Sequence, residues 1–146
     1  MKINLVFFLI FSFYSSFISA EELSNLTAEQ LVSLQQNNNA LVIDIRTEKE
    51  WAATGTIPES HKLQFFSAEG KFNTEKWLSD VNQLKTSADQ PVILVCRSGG
   101  RSGKVGNMLA KQKGLKNIYH LPGGMMSWIK AGNKINKDCS TQLACK

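Results

Sequence analysis

Cys96 follows directly on an apolar run, "PVILV", and precedes "RSGGRSGKV", which offers two arginines, three glycines and two serines before apolar residues recur at helical spacing. The apolar run reads as a buried strand and Val105, Met108 and Leu109 mark the next helix, so the sulfur falls between the carboxyl end of a strand and a helix N-terminus. Unpaired backbone N–H groups and a dipole of about half a positive charge stabilise an anion there. Gly99, Gly100 and Gly103 let the loop curl without obstruction from Cβ atoms. The thiolate is the reactive form of cysteine. Lowering a thiol from about 8.5 to near 6.5 takes about 2.7 kcal/mol of preference for the anion. A helix end supplies about 0.3–2 kcal/mol of this. Arg97 and Arg101 stand where they can supply the remainder, against the opposing effect of burial. The loop is expected to cradle an anion, with Cys96 as a candidate reactive thiol.

Two other anion-binding loops fit less well. A phosphate-cradling loop needs Gly-x4-Gly-Lys-Ser/Thr, and "SGGRSGKV" has Ser98 in place of the first glycine and Val105 in place of the hydroxyl. A cysteine phosphatase needs Cys-x5-Arg; here Ser102 holds the arginine's place and Arg101 comes one residue early.

The elements that must position this loop are legible along the chain. "LTAEQL" combines Thr27 as N-cap, Gln30 as its reciprocal partner and Leu26 facing Leu31, which predicts a helix over 28–37. "ALVIDI" is a short, nearly continuous apolar run, as in a strand covered on both faces. Thr47 with Glu50 forms a second capping box, opening a short helix that carries Trp51. Gly55 and Pro58 break the pattern, and "KLQFF" offers a brief strand. A helix capped by Asn73 or Thr74 carries Trp77, Leu78, Val81 and Leu84; the helix after Cys96 stops at Gly114; "NIYHL" is a last strand and "GGMMSWIKAG" a last helix. Strands alternating with helices argue for an α/β fold, a mostly parallel central sheet with helices on both faces. In such sheets the ligand site lies outside the carboxyl ends of the strands, which is where Cys96 falls.

Outside this domain, expected over residues 21–133, lie two further segments. Lys2 and the apolar run from Leu5 to Phe11, closed by Ile18-Ser19-Ala20, read as a cleaved secretory signal peptide over residues 1–20. The run is shorter than the ~20 residues of a spanning helix, so no stable membrane anchor is expected. The polar tail 134–146 carries Cys139 and Cys145, which could close a small ring stabilising by about 2 kcal/mol, leaving Cys96 as the free thiol. The formal charge of +5 comes from scattered lysines. It suits a small anionic ligand and contains no basic run that would suggest nucleic acid.

"CRSGGRS" closely resembles the active-site loop of single-domain rhodaneses, sulfurtransferases whose cysteine becomes a persulfide. "VIDIRTEKEW" is similar to that family's first-strand motif, "GTIPES" to its Gly-His-Ile-Pro-Gly-Ala turn, and "YHLPGGMMSW" to its closing Gly-Gly and Trp segment; together they span roughly residues 23 to 132. Thr56 replaces the usual His of the turn, and Glu59-Ser60 the usual Gly-Ala. The resemblance implies a rhodanese-like fold and transfer of sulfur from thiosulfate or a similar anionic donor to cyanide or a thiol acceptor. Cys96 would be the nucleophile, and Arg97, Ser98, Gly99, Gly100, Arg101 and Ser102 the substrate-binding loop. No cofactor and no metal are called for. An exported form with a cysteine-bearing tail looks most like the periplasmic rhodaneses of Gram-negative bacteria. The oligomeric state is not readable.

Plainer roles stand beside these. The cysteine and both arginines argue against a catalytically idle rhodanese-like binding module, and a redox link from Cys96 to Cys139 or Cys145 depends on the reach of the tail. Asp44 and Arg46 can brace the loop or form an ordinary structural ion pair, and Lys104 reads as a helix-face lysine. His61 and His120 have no ligand partner at metal-binding spacing and are expected at the surface or lightly buried. Trp51, Trp77 and Trp128 are expected in apolar packing.

Overall fold

The computed structural model describes residues 22–137; the expected leader over 1–20 and the tail cysteines Cys139 and Cys145 lie outside them. The first helix, α1 (Ala28–Asn37), starts on a reciprocal cap: Thr27 Oγ1 accepts from the Gln30 amide at 3.2 Å and Gln30 Oε1 from the Thr27 amide at 2.8 Å. Leu26 and Leu31, either side of the cap, are buried in one cluster and complete the staple. Thr47 and Glu50 repeat the device at α2 (Glu48–Thr54). Asn73 caps α3 (Thr74–Leu84), accepting from the Lys76 amide at 2.9 Å. The fourth helix, α4 (Gly100–Lys113), ends on Gly114 in the left-handed region, and α5 (Gly124–Lys130) closes the fold.

Five strands, β1 (Ser24–Asn25), β2 (Leu41–Asp44), β3 (His61–Lys62), β4 (Val92–Val95) and β5 (Ile118–His120), form one sheet in the order β1-β5-β4-β2-β3. Every pairing is parallel. The two-residue β1 was not expected, being too short to show a hydrophobic period. Pairing in "KLQFF" also begins earlier than expected, at His61. Beyond Lys62 the Leu63 and Phe65 amides still bond the Asp44 and Ile45 carbonyls at 3.1 and 3.3 Å, and the chain enters an aromatic cluster, where Phe65 packs on Phe66, Phe72 and Trp77 at centroid distances of 4.9, 5.2 and 5.3 Å.

Because side chains alternate along a strand, β2 and β4 feed two cores. Leu41, Ile43, Val92 and Leu94 face Trp77 and Val81 of α3 and Val105 and Leu109 of α4. Val42, Ile93 and Val95 face Leu31 of α1 and Met125 and Trp128 of α5. Both strands are buried end to end, which is why they read as continuous apolar runs rather than alternating ones. The α/β architecture with helices on both faces is the one expected.

The end of β2 is tied to the end of α2 by a buried ion pair. Asp44 and Arg46 are each 1% exposed. Arg46 forks onto the carboxylate, Nε to Oδ1 at 2.9 Å and Nη2 to Oδ2 at 2.7 Å, and also donates to Thr54 Oγ1 and the Gly55 carbonyl, each at 2.7 Å. Spreading the guanidinium donors over several acceptors is what makes a buried charge tolerable. The pair therefore braces α2, and the Asp44 charge also acts on Arg101 in the loop after Cys96. In the following turn Glu59 has φ 60°, a left-handed conformation at the position where the resembled turn carries glycine.

Candidate active site

Cys96 is the first residue past β4, and α4 begins four positions later. The turn between them depends on Gly99, which has φ 89° and caps α4; a Cβ there would lie 1.5 Å from the Pro122 carbonyl oxygen. The loop rests on the start of α5. The Met125 amide donates to the Cys96 carbonyl at 2.8 Å, and the Met126 amide to the Arg97 carbonyl at 3.0 Å. Gly124 allows this approach, since its Cβ would meet the Cys96 carbonyl at 2.4 Å. With its carbonyls turned toward α5, the loop aims its amides inward.

Those amides converge on the sulfur. Cys96 Sγ accepts from the Gly99 amide at 3.2 Å and the Ser102 amide at 3.4 Å, with the Ser102 hydroxyl also 3.4 Å away. Burial pushes the Cys96 thiol up, but the Ser102 hydroxyl and the amides of Ser102, Ser98 and Gly99 outweigh it and hold the thiol below its ordinary value. Cys96 is the free cysteine among the described residues.

The remaining loop residues divide by direction. Arg97 and Ser98 are exposed, and Arg97 makes no side-chain hydrogen bond among the described residues. Gly100 is exposed with open space around it, so the loop does not require a glycine there. Gly103 admits a neighbour instead: a Cβ would stand 3.2 Å from Cε1 of His120. Arg101 departs from the expectation that it is free to hold a donor. It forks onto Glu50, with Nη1 to Oε2 at 2.9 Å and Nη2 bonded to Oε1. Glu50 also accepts from the amide and hydroxyl of Thr47, each at 3.1 Å. Burial pushes the Glu50 carboxyl up, but the Arg101 fork and the Thr47 amide bring it down to about 2.

Beside the loop runs a largely apolar groove of about 390 Å³, lined by Ala53, Met125, Met126 and Ile129 with Lys49 and Arg97 at its charged edge. A depression of about 500 Å³ near Ser87, Asp89 and Leu115 lies by the amino ends of the strands, away from Cys96. Among the described residues no group of His, Cys, Asp and Glu comes together as a metal site.

The family described as "Rhodanese-like domain" matches residues 27–131, from the cap of α1 to the end of α5. This chain belongs to the rhodanese-like domain family. Among its relatives, the "Uncharacterized protein RP600" of Rickettsia prowazekii is 35% identical over 91 residues, covering 60% of this chain and 71% of that one. The "Thiosulfate sulfurtransferase GlpE" of Actinobacillus succinogenes is 27% identical over 109 residues, covering 75% and 86%. In structure, the polysulfide-sulfur transferase homodimer of Wolinella succinogenes superimposes with a TM-score of 0.60 at 21% identity, over 82% of each chain, a likeness of fold. The rhodanese-like family thus includes sulfurtransferases.

Three participants in this rhodanese-like site were not read from the sequence in their present roles. Glu50 was read as a helix cap, which it is, but its clamp on Arg101 bridges 51 positions and leaves no local signal. His120, expected at the surface or lightly buried, is 8% exposed, with both ring nitrogens bonded. Its one sequence signal is a polar residue closing the apolar run "NIYHL". Asn25, which holds it, lies in the unexpected β1.

Proposed function

We propose that this rhodanese-like protein is a sulfurtransferase that carries a sulfane sulfur on Cys96, with thiosulfate or a similarly anionic compound as donor. The observation that carries this reading is the sulfur of Cys96 facing two backbone amides and a hydroxyl, which favour the thiolate over the thiol. The thiolate attacks the outer sulfur of thiosulfate. The S–S bond of the donor breaks, sulfite leaves with the electron pair, and Cys96 keeps the outer sulfur as a persulfide anion. Cyanide or a thiolate acceptor then takes that sulfur, the persulfide S–S bond breaks, and the Cys96 thiolate returns. The exposed, unclamped Arg97 is suited to draw in the anionic donor, while Arg101, held by Glu50, shapes the loop from beneath.

Intact mass after incubation with thiosulfate tests this directly. One added sulfur atom, removed by cyanide with release of thiocyanate, is expected; Cys96→Ser should take up none while melting within a degree or two of the parent. Uptake by the serine variant would end the assignment. We further infer export to the periplasm from the apolar run after Lys2, and a mass corresponding to cleavage after Ala20 in the periplasmic fraction is the expected result.

A further inference from the structure

The last residue of β5, His120, pairs in register with Leu94 of β4 and so stands on the same side of the sheet as Cys96, under the start of α4. Its Nε2 lies 2.7 Å from Asn25 Oδ1, and its Nδ1 lies 3.2 Å from Ser102 Oγ. That hydroxyl in turn lies 3.4 Å from Cys96 Sγ. Four side chains from β1, β5, α4 and the end of β4 therefore form one continuous line of hydrogen-bonding atoms, in which Cys96 is 1% and Ser102 0% exposed.

The donors along this line follow from what each group can do. The Asn25 carbonyl oxygen only accepts, so Nε2 carries a hydrogen and Nδ1 of the neutral ring is bare. Ser102 has a single hydroxyl hydrogen and three acceptors around it: the Gly99 carbonyl at 3.1 Å, Nδ1 and the sulfur. When Cys96 is a thiol, its S–H can donate to the Ser102 oxygen while the Ser102 O–H donates to Nδ1. Moving each hydrogen one place along breaks S–H, forms one O–H, breaks the other O–H and forms Nδ1–H. The result is a thiolate receiving a hydrogen bond from Ser102, and an imidazolium donating to Ser102 and Asn25. No atom enters or leaves, and the reverse shift restores the thiol.

We propose that His120 takes and returns the Cys96 proton through the Ser102 hydroxyl, with Asn25 holding the ring in the tautomer that leaves Nδ1 open. His120 is thus a positioning and relay residue, one hydroxyl removed from the reacting sulfur. The groups facing the ring are Asn25 of β1 and Ser102 and Gly103 of α4; Cys96 is the titratable group on the line. Burial alone shifts the ring, holding it below its ordinary value, with no charged neighbour contributing. With Nε2 committed to Asn25, Nδ1 is the nitrogen open to a proton from the Ser102 hydroxyl. This relay rests on the reading of Cys96 as the nucleophile.

Alkylation of Cys96 by iodoacetamide, followed from pH 5 to 10, tests it without any sulfur donor. His120→Asn keeps an amide near the place of Nδ1 but cannot take a proton. It should move the midpoint of the profile upward by about one pH unit, a roughly tenfold slower reaction at pH 7. In a Ser102→Ala background the same change should add nothing, because the line is already cut. A His120→Asn profile that overlays the parent's, or a further shift in the Ser102→Ala background, would overturn the relay. Long-range proton–nitrogen spectra of the unmutated protein decide the matter if the variant does not fold. A ring with hydrogen on Nε2, whose titration moves when Cys96 is alkylated, supports the relay; hydrogen on Nδ1 of the neutral ring, or a titration indifferent to alkylation, refutes it. A protein that shows the alkylation shift but takes up no sulfur from thiosulfate keeps the relay and loses the sulfurtransferase reading. The opposite pair of results does the reverse.

Discussion

Glu50 grips Arg101 across 51 positions of sequence with the same carboxylate that closes the cap of α2 on Thr47. One side chain thereby couples the start of α2 to the start of α4, and the loop after Cys96 hangs between α4 and α5. A double-mutant cycle of Glu50→Gln and Arg101→Ala, read by urea denaturation, should give a coupling of about 0.5–1 kcal/mol, because the two side chains remain 25% and 33% exposed and solvent screens the pair. Additive effects would show that the fork contributes nothing to the fold.

The same carboxylate predicts an acid response. Its folded value of about 2 lies below its ordinary 4.5, so the folded state favours the ionised form. The stabilisation is fully present above pH 4.5 and is lost as pH falls toward 2. The stability difference between the parent and Glu50→Gln, measured by urea midpoints, should therefore narrow between pH 5 and pH 2; a constant difference would contradict the pairing.

Gly99 and Gly100 are adjacent, yet their substitutions should diverge. Gly99→Ala forces an alanine to φ 89° and into the Pro122 carbonyl, whereas a Cβ at Gly100 meets nothing within 4 Å. The first should cost about 2–3 kcal/mol or displace the loop, with loss of Cys96 alkylation at neutral pH. The second should change stability by less than about 0.5 kcal/mol and preserve the reactive thiol. Equal behaviour of the two variants in these assays would mean that the turn is built differently.

Glu59 occupies a left-handed conformation at φ 60°. Glu59→Gly removes about 1–2 kcal/mol of backbone strain and adds about 0.5–1 kcal/mol of unfolded-state entropy. A net gain of about 0.5–1 kcal/mol is expected in denaturant titration; a loss would show that the Glu59 side chain contributes more than its backbone costs.

Asp44→Asn should be among the most damaging single changes. It leaves the Arg46 guanidinium, 1% exposed, with neutral acceptors only. A loss of about 3–5 kcal/mol is expected from urea unfolding, since removing one partner strands a buried charge. Because Arg46 grips Thr54 and Gly55 at the end of α2, loosening of that helix should also appear as faster amide exchange near residue 54.

Local chemistry was written plainly in the chain. The caps at Thr27 and Thr47 bond within three residues, the stop at Gly114 is one backbone conformation, and β2 and β4 announce themselves because burial on both faces demands unbroken apolar runs. The loop after Cys96 was legible for the same reason: small residues beside a strand end and a helix start. By contrast, β1 is two residues long, below the length at which any hydrophobic period exists.

What decides the behaviour of each loop residue depends on partners brought from elsewhere. Arg97 and Arg101 are indistinguishable by type, and only the placement of Glu50 on α2 commits one and leaves the other exposed. His120 becomes more than a polar end to an apolar run because the register of β5 on β4 and β1 sets its two nitrogens between Ser102 and Asn25. Sequence by itself determined the place of the cysteine, its turn and the α/β scaffold, since these follow from neighbours along the chain. Tertiary structure alone decided which charges are clamped and which ring meets the Ser102 hydroxyl, since such pairings are made through space by elements that no local pattern relates.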